Sequence, residues 1–529
     1  MGFGVTLMPD VQLAPAATTV PSLVTRIRHS KWQPWMGILV IAIPSVILRV
    51  YRIDALGVNS DEAVYAGQAA SLASDLGLSP FFPIFRAHPL LFQGLLSIVY
   101  QLIGVSSLSG RLLAAAFGLG TIALLFLTGR LMYGQRVGYL AALLGGLMPY
   151  LVVVNRQILL DGPMTFFATF GLYLMARYAQ TQDPVWLYAA AGALGLTFLS
   201  KETSILLLGG VYAFLALTYT LRVRIRDVAI ASAIYAAIIL VYPLAVIISG
   251  ASSTGGNFVV WQLLRRPNHS WLFYPAVVPP ALGIPVVIAA VLGLWFLRRE
   301  TTWRESLLVW WIAGPVIFFE IWAVKGFQYL LPIAAPVAIL AARGLLAIPR
   351  RPLLVGKRRL PASLPFVAAT SVTVIWLLVT SLLRILPHNA GPTFLAGTGG
   401  VPGGREAGLW VRANVPKDSQ MLALGPSMAN IIQFYGRRQT YSLSVSPNPL
   451  HRNPVYEPVN NPDLAIRHND LQYIVWDSFS AERSPFFAAN LLKYTSRYHG
   501  QIVHTESVSV QTASGRIEKP VIVIYQVRP

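Results

Sequence analysis

Apolar windows of about twenty residues recur along this chain from Trp35 to Leu383, and segments of that length and character cross about 30 Å of hydrocarbon. They fall at Trp35–Tyr51, Ser109–Leu131, Val137–Val154, Pro163–Ala179, Val185–Leu199, Thr203–Leu221, Val228–Ile248, Leu272–Leu297, Ser306–Val324, Tyr329–Ala347 and Ser363–Leu383. That makes about eleven spans, two of them short, and an odd number puts the termini on opposite sides of the membrane. Composition agrees: of 529 residues 55% are hydrophobic and only 12% charged, which is the polytopic membrane class.

In a membrane protein the net charge of +20 first suggests cytoplasmic loops meeting anionic lipid rather than nucleic acid, and its distribution decides the point. With the N-terminus cytoplasmic, the inner segments collect Arg26, Arg28 and Lys31, then Arg130 and Arg136, Arg177, Arg222 to Arg226, Arg298 to Arg304, and Arg350 to Arg359. The excess charge is therefore a topology signal, and no nucleic-acid partner is expected. The first apolar run ends in Arg49-Val50-Tyr51-Arg52 without a small-residue cleavage site and reads as an uncleaved span. Cysteine is absent, so thiol nucleophiles, thiolate metal sites and disulfides are excluded.

The expected organisation is a cytoplasmic segment at 1–34, a transmembrane domain at 35–386, a Gly/Pro-rich linker at 387–404 and an extracytoplasmic α/β domain at 405–529. In the last, Glu406–Asn414 and Ser427–Gly436 read as helices, and Gln420–Gly425, Leu471–Trp476 and Val521–Val527 as strands. Trp410, Tyr435 and Trp476 are there either a sugar platform or core. The first outer loop, Arg52 to Leu108, is long and holds two interfacial helices, Glu62–Leu76 and Leu90–Ile103; loops of this length usually carry function.

Chemistry-bearing residues gather at the outer ends of the spans. Asp61 and Glu62 follow Asn59, so they read either as a capping box and dipole-complementing first turn or as the catalytic base and its neighbour. Few other acids lie on the outer face, and charged groups at membrane depth are functional by default. Asp161, before Gly162-Pro163, caps a helix or belongs to a charged pair with Arg156 on the surface that also holds Asp61. Lys201-Glu202 interrupts two apolar helices, where a lysine either snorkels or meets a lipid-linked phosphate. Arg86, His88, Arg111 and Lys325 complete the outer-face set, with His88 read first as a hydrogen-bonding residue.

Taken in order, NSDEAVYAGQAASLA (Asn59–Ala73), HPLLFQGLLSIVYQLIG (His88–Gly104), GRLLAAAFG (Gly110–Gly118), NRQILLDGPMTFFATFGLYL (Asn155–Leu174), GALGLTFLSKE (Gly192–Glu202) and FQYLLPIAAPVAILAARG (Phe327–Gly344) cover most of Val50 to Gly344. This series resembles the C-type polytopic membrane glycosyltransferases, specifically the family 39-like relatives of protein O-mannosyltransferases and aminoarabinose transferases. The resemblance implies that fold, with the small C-terminal α/β domain, and transfer of a sugar from a polyprenyl-phosphate donor to a lipid, glycan or protein acceptor on the outer face of the cell membrane. Carried over by position, Asp61 matches the loop carboxylate taken as the base, with Glu62 beside it, Asp161 the second acidic site, and Lys201 a basic residue near the donor phosphate. Arg86, His88, Arg111, Arg156, Lys325 and Tyr329 join the expected substrate-binding set.

The sequence departs from the pattern twice: Leu90 follows Pro89 where a second proline is common, and Gln328 stands where an arginine commonly precedes the Tyr-Leu-Leu-Pro stretch. Phosphate contact there would fall to Lys325. One base and one activated donor favour inversion at the anomeric carbon. No cofactor is required; a divalent cation is an option through carboxylate oxygens. A transporter or flippase of lipid-linked glycans and a non-catalytic glycan-assembly protein stay as alternatives. Against the first stand the outer position of the ionisable residues and the lack of a clear internal repeat.

Overall fold

The computed structural model describes residues 33–529 apart from 266, 297, 350–352, 356–357, 387–399, 447, 449–451, 454–455 and 513–514. Most of the N-terminal segment with Arg26, Arg28 and Lys31, and most of the linker, lie outside the described residues.

The membrane part is helical. In order it runs α1 (Gln33–Val50), α2 (Ser60–Leu72), α3 (Leu91–Ile103), α4 (Ser107–Tyr133), α5 (Gln135–Leu147), α6 (Pro149–Val154), α7 (Asp161–Thr181) and α8 (Pro184–Ser200). A 3₁₀ turn at Glu202–Leu206 leads into α9 (Leu207–Leu217), α10 (Ile225–Ile248), α11 (Ser252–Leu264), α12 (Phe273–Leu282), α13 (Ile284–Phe296) and α14 (Trp303–Ile321). A second 3₁₀ stretch, Phe327–Ile333, enters α15 (Ala334–Leu346); a short hairpin, β1 (Leu353–Val355) and β2 (Arg358–Leu360), precedes α16 (Leu364–Ile385).

Every apolar window of the sequence falls on one of these helices or on a helix interrupted within it. By length and composition, four described helices can each cross a membrane unaided: α4, α10, α16 and the continuous 3₁₀–α15 segment. The chain is thus a multi-pass membrane protein. One window is not a straight span: Leu272–Leu297 is bent by 95° between α12 and α13. The bend sits at Gly283, whose φ of +94° is left-handed backbone that a side chain would strain. Close helix crossings rest on small residues, since there is little hydrophobic force between helices in lipid. Where α13 meets α15, a Cβ on Gly344 would lie 2.2 Å from the Ala289 carbonyl oxygen.

The C-terminal part is an α/β domain. It comprises α17 (Gly404–Asn414), β3 (Met421–Ala423), α18 (Pro426–Gly436), β4 (Thr440–Ser442), α19 (Pro462–Arg467), β5 (Tyr473–Asp477), α20 (Ser478–Arg483), α21 (Pro485–Arg497), β6 (Gln501–Thr512) and β7 (Gly515–Gln526). The sheet order is β4-β3-β5-β7-β6, with β3 parallel to both β4 and β5, and β7 antiparallel to β5 and β6. Alternation sorts the side chains: Met421, Val475 and Ile524 pack under α17 and α18, while Leu422 and Ile474 pack with Ile466 and Leu491 on the other face. Sequence periodicity located three of these strands; the β6–β7 hairpin arm, largely polar and exposed, offered no apolar alternation to read.

This domain is bolted to the segments on either side of α2. Arg405 donates to the Asp54 and Leu56 carbonyls at 3.0 and 2.5 Å, the Tyr435 hydroxyl accepts from Val58 N–H at 3.1 Å, and Arg437 pairs with Asp75 at 3.0 Å.

One polar group inside the domain is poorly served. Asp477, at the end of β5, is fully buried; Oδ1 accepts from Ser480 N–H at 2.7 Å and Oδ2 has no partner. Burial raises its pKa to about 6. Because the folded value lies above the unfolded one, its protonation favours folding at low pH, and that contribution is lost as pH rises through about 6. Asp477→Asn, which keeps the accepting oxygen, is expected to stabilise the domain at pH 8 by up to about 3 kcal/mol and to change little at pH 4. Hydrogen exchange of the β5 amides in the full chain measures this; faster exchange in the variant at pH 8 contradicts it.

Candidate active site

The site begins with how α2 starts. The Asn59 side chain accepts from Glu62 N–H at 2.9 Å while Glu62 Oε2 accepts from Asn59 N–H at 3.0 Å, a closed capping box. Glu62 is wholly buried and takes Arg111 Nε and Nη2 at 2.8 and 2.9 Å and the Ile158 N–H at 3.1 Å. Arg111 in turn donates to the Ile53, Leu56 and Gly57 carbonyls. Both oxygens of Glu62 are therefore committed to holding the loop. The helix rotates by about 100° per residue, so Asp61 points elsewhere.

Asp61 faces a polar cavity of about 250 Å³. No described residue hydrogen-bonds its carboxylate. Around it stand Arg86, His88, Lys201, Glu202, Gln328 and Tyr329 from the membrane part. Burial raises the Asp61 carboxyl above the ordinary carboxylate range, against the pull of Lys201 and His88. A carboxylate shifted this way is a stronger base than a solvated one.

The cations are held in place by partners. Lys201, 4% exposed, forms a bidentate pair with Asp161 (2.7 and 2.9 Å), and its ammonium lies 5.1 Å from the Tyr329 ring centre. Asp161 is itself buried behind Lys201, so the lysine is the member of the pair that reaches the cavity. His88 Nδ1 meets Glu202 at 2.9 Å, and its ring is edged by Tyr65 and Phe258.

Three expected members of the substrate-binding set stand apart, the first being Arg111, which is committed to Glu62 and the loop carbonyls and does not line the cavity. Arg156 does not pair with Asp161; its guanidinium donates to the Leu48, Arg49 and Arg52 carbonyls, closing the C-terminal end of α1. Lys325 is buried with its ammonium on the Phe319 and Glu320 carbonyls at the end of α14, between Trp271 and Tyr274. Neither lines the cavity.

Other groups were missed. The stretch Ser249–Trp271, expected as a connection between spans, contains α11, whose Phe258, Trp261 and Gln262 line the cavity together with Arg265 just past its end. Their spacing of three, four and seven residues marks one helix face and was a usable signal, masked by the polar, glycine-containing start of the helix. Asn453 and Tyr456 reach the cavity from the C-terminal domain. Tyr456 shares hydrogen bonds with Asn430 and Ser60, and Asn430 donates to the Ser60 hydroxyl at 2.9 Å, one residue from Asp61. No local pattern announces such a long-range contribution.

The polar cavity opens into an apolar groove of about 620 Å³ between α8, α10, α11 and α14, sharing Glu202, Phe258, Gln262 and Tyr329 with it. Phe198, Val246, Ile247, Leu263 and Trp322 line the groove. Among the described residues, no group of three or more His, Asp and Glu side chains is gathered as a cation cage.

With this geometry in hand, three comparisons bear on the chain. Residues 87–247 match the family model described as dolichyl-phosphate-mannose-protein mannosyltransferase. An uncharacterised protein of Aquifex aeolicus is 29% identical over 171 residues, which is 31% of this chain and 34% of that protein's length. The structure superposes on ArnT from Cupriavidus metallidurans, solved in the apo state, with a TM-score of 0.67 at 14% identity over 94% of this chain and 98% of that one. The same protein bound to undecaprenyl phosphate gives 0.63 at 14% identity, over 93% and 98% of the two chains. AglB from Archaeoglobus fulgidus, in complex with an inhibitory peptide and a dolichol-phosphate, gives 0.57 at 12% identity, over 93% and 75%.

The buried pair and its half-buried, unengaged neighbour Asp61 should separate cleanly on mutation. Arg111→Met leaves buried Glu62 uncompensated and Glu62→Gln leaves Arg111 only the half-buried Asp54, so each should cost about 3–5 kcal/mol, seen as a large drop in melting temperature of the purified protein. Asp61→Asn should melt within experimental error of wild type. Equal melting of all three would contradict the division of labour.

Proposed function

We propose that this chain, which has the C-type polytopic membrane glycosyltransferase fold and matches the protein mannosyltransferase family model in part, transfers a sugar from a polyprenyl-phosphate donor to a hydroxyl acceptor on the outer face of the membrane. The observation that carries this reading is the junction of two unlike spaces: an apolar groove suited to a prenyl tail runs into a polar cavity holding an unengaged carboxylate and fixed cations. The polyprenyl phosphates in the two structural relatives support it.

In this reading the tail lies along Val246, Ile247 and Phe318 and the phosphate rests near Lys201, with Arg265 and His88 as further donors. Asp161 keeps Lys201 charged and aimed; it acts through the lysine rather than on substrate. A hydroxyl is a poor nucleophile near neutral pH, so Asp61 takes its proton as the acceptor oxygen attacks the anomeric carbon and the bond to the phosphate oxygen breaks. The leaving phosphate gains charge, which the preorganised cations stabilise. Attack opposite the leaving group inverts the anomeric configuration. Positive charge is supplied by protein side chains, so the reaction as drawn needs no metal, and transfer should survive chelation.

In this reading the N-terminus is cytoplasmic and the C-terminal domain lies outside, on the same side as Asp61, with Tyr456 and Asn453, which line the cavity, facing the acceptor. Lipid, glycan and protein acceptors all offer the required hydroxyl.

Purified protein in lipid, given a panel of labelled polyprenyl-phosphate sugars, should release or transfer one of them. Lys201→Met should lower turnover by about 10²–10³-fold. Val246→Trp, which narrows the groove, should raise KM for long-chain donors while sparing short-chain ones. The raised pKa of Asp61 predicts that kcat/KM falls on acidification at a pH above that of an ordinary carboxylate. A folded protein that binds no donor and turns none over overturns the proposal and favours flipping of a lipid-linked glycan.

A further inference from the structure

On the far side of the Asn59–Glu62 cap lies a second junction of apolar and cationic surface. A cavity of about 510 Å³ between α6, α12 and α16 is walled by Val153, Val277, Ala281, Trp376 and Leu383 and ends at Arg384. Arg384 also lines a small polar cavity with Arg52, Arg156, Arg111 and Glu62, so this side chain borders both spaces. Asp61 faces the donor cavity and Glu62 backs onto this one.

The charge here is lopsided. Glu62 is already matched by Arg111, and Asp54 by Arg111 and Arg405. Arg156 is neutralised by no acid, only by carbonyl oxygens. Arg52 and Arg384 are exposed, and no described residue hydrogen-bonds or ion-pairs with either guanidinium. Behind them, fully buried Arg49 has Nε and Nη2 without a partner. These arginines cluster at the C-terminal ends of α1 and α16, at the same end of the bundle as Asp61.

We propose that this is a binding site for one anionic phospholipid, its acyl chain in the groove beside Trp376 and its phosphate at Arg52 and Arg384. The lipid is no substrate, because the capping box and the Glu62–Arg111 pair stand between it and Asp61. It braces the loop from Arg52 to Gly57 that carries the base. The site depends neither on the nature of the donor nor on the reaction.

Native mass spectrometry of the full chain, with phosphatidylglycerol and phosphatidylcholine of matched acyl chains, tests it. Wild type should retain one phosphatidylglycerol with a preference on the order of tenfold, as unpaired arginines at a lipid phosphate imply. The double variant Arg52→Gln/Arg384→Gln should lose the preference, and Ala281→Trp should lose the bound lipid. Phosphatidylglycerol with brominated acyl chains should quench wild-type fluorescence more than that of Trp376→Phe, which decides the matter even if Ala281→Trp does not fold. Equal retention of the two lipids, an unchanged preference in the double variant, or displacement by millimolar inorganic phosphate would overturn the proposal, the last pointing to a free-anion site.

Discussion

The buried pair between Glu62 and Arg111 organises the site. Arg111 reaches from α4 to gather the carbonyls of the Ile53–Gly57 loop, and Glu62 closes both the cap of α2 and the charge of Arg111. A buried ion pair of this kind contributes little net stability, since desolvation of both ions offsets their attraction, but losing either partner is costly. What it provides is placement. With Glu62 committed inward, the neighbouring Asp61 is presented to the cavity with its oxygens unengaged.

Positioning of this kind recurs around the cavity. Asp161 holds Lys201 and Glu202 holds His88, so these two cavity-facing groups are backed by partners, while Asn430 with Tyr456 holds Ser60 beside Asp61. Such support fixes geometry before substrate arrives and removes reorganisation from the chemical step. The C-terminal domain contributes to it directly, because Arg405 and Tyr435 clamp the loop before α2 and Arg437 pairs with Asp75 just after it.

Much of the membrane architecture was legible because apolar length is a one-dimensional property: each window fell on a helix or an interrupted helix, while the bend at Gly283, the break at Met148 and the less apolar α11 escaped. The site was legible as a set of residues but not as a set of roles. Asp61 and Glu62 are adjacent and chemically alike, and only the phase of α2 turns one outward and the other into a salt bridge. Arg156 and Lys325 were expected to join the cavity, yet their nearest acceptors are helix-end carbonyls, a pairing that sequence spacing does not encode. Tyr456 arrives from nearly 400 residues along the chain, through the docking of a second domain.

Asp61 as base is tested most directly by single-turnover transfer with donor saturating, comparing wild type with Asp61→Asn and measuring donor affinity in parallel. The expected result is unchanged donor affinity with transfer slowed by about 10²–10⁴-fold, the range attributable to a positioned general base. Transfer at the wild-type rate in a folded Asp61→Asn protein would contradict the assignment and pass the role to another group in the cavity.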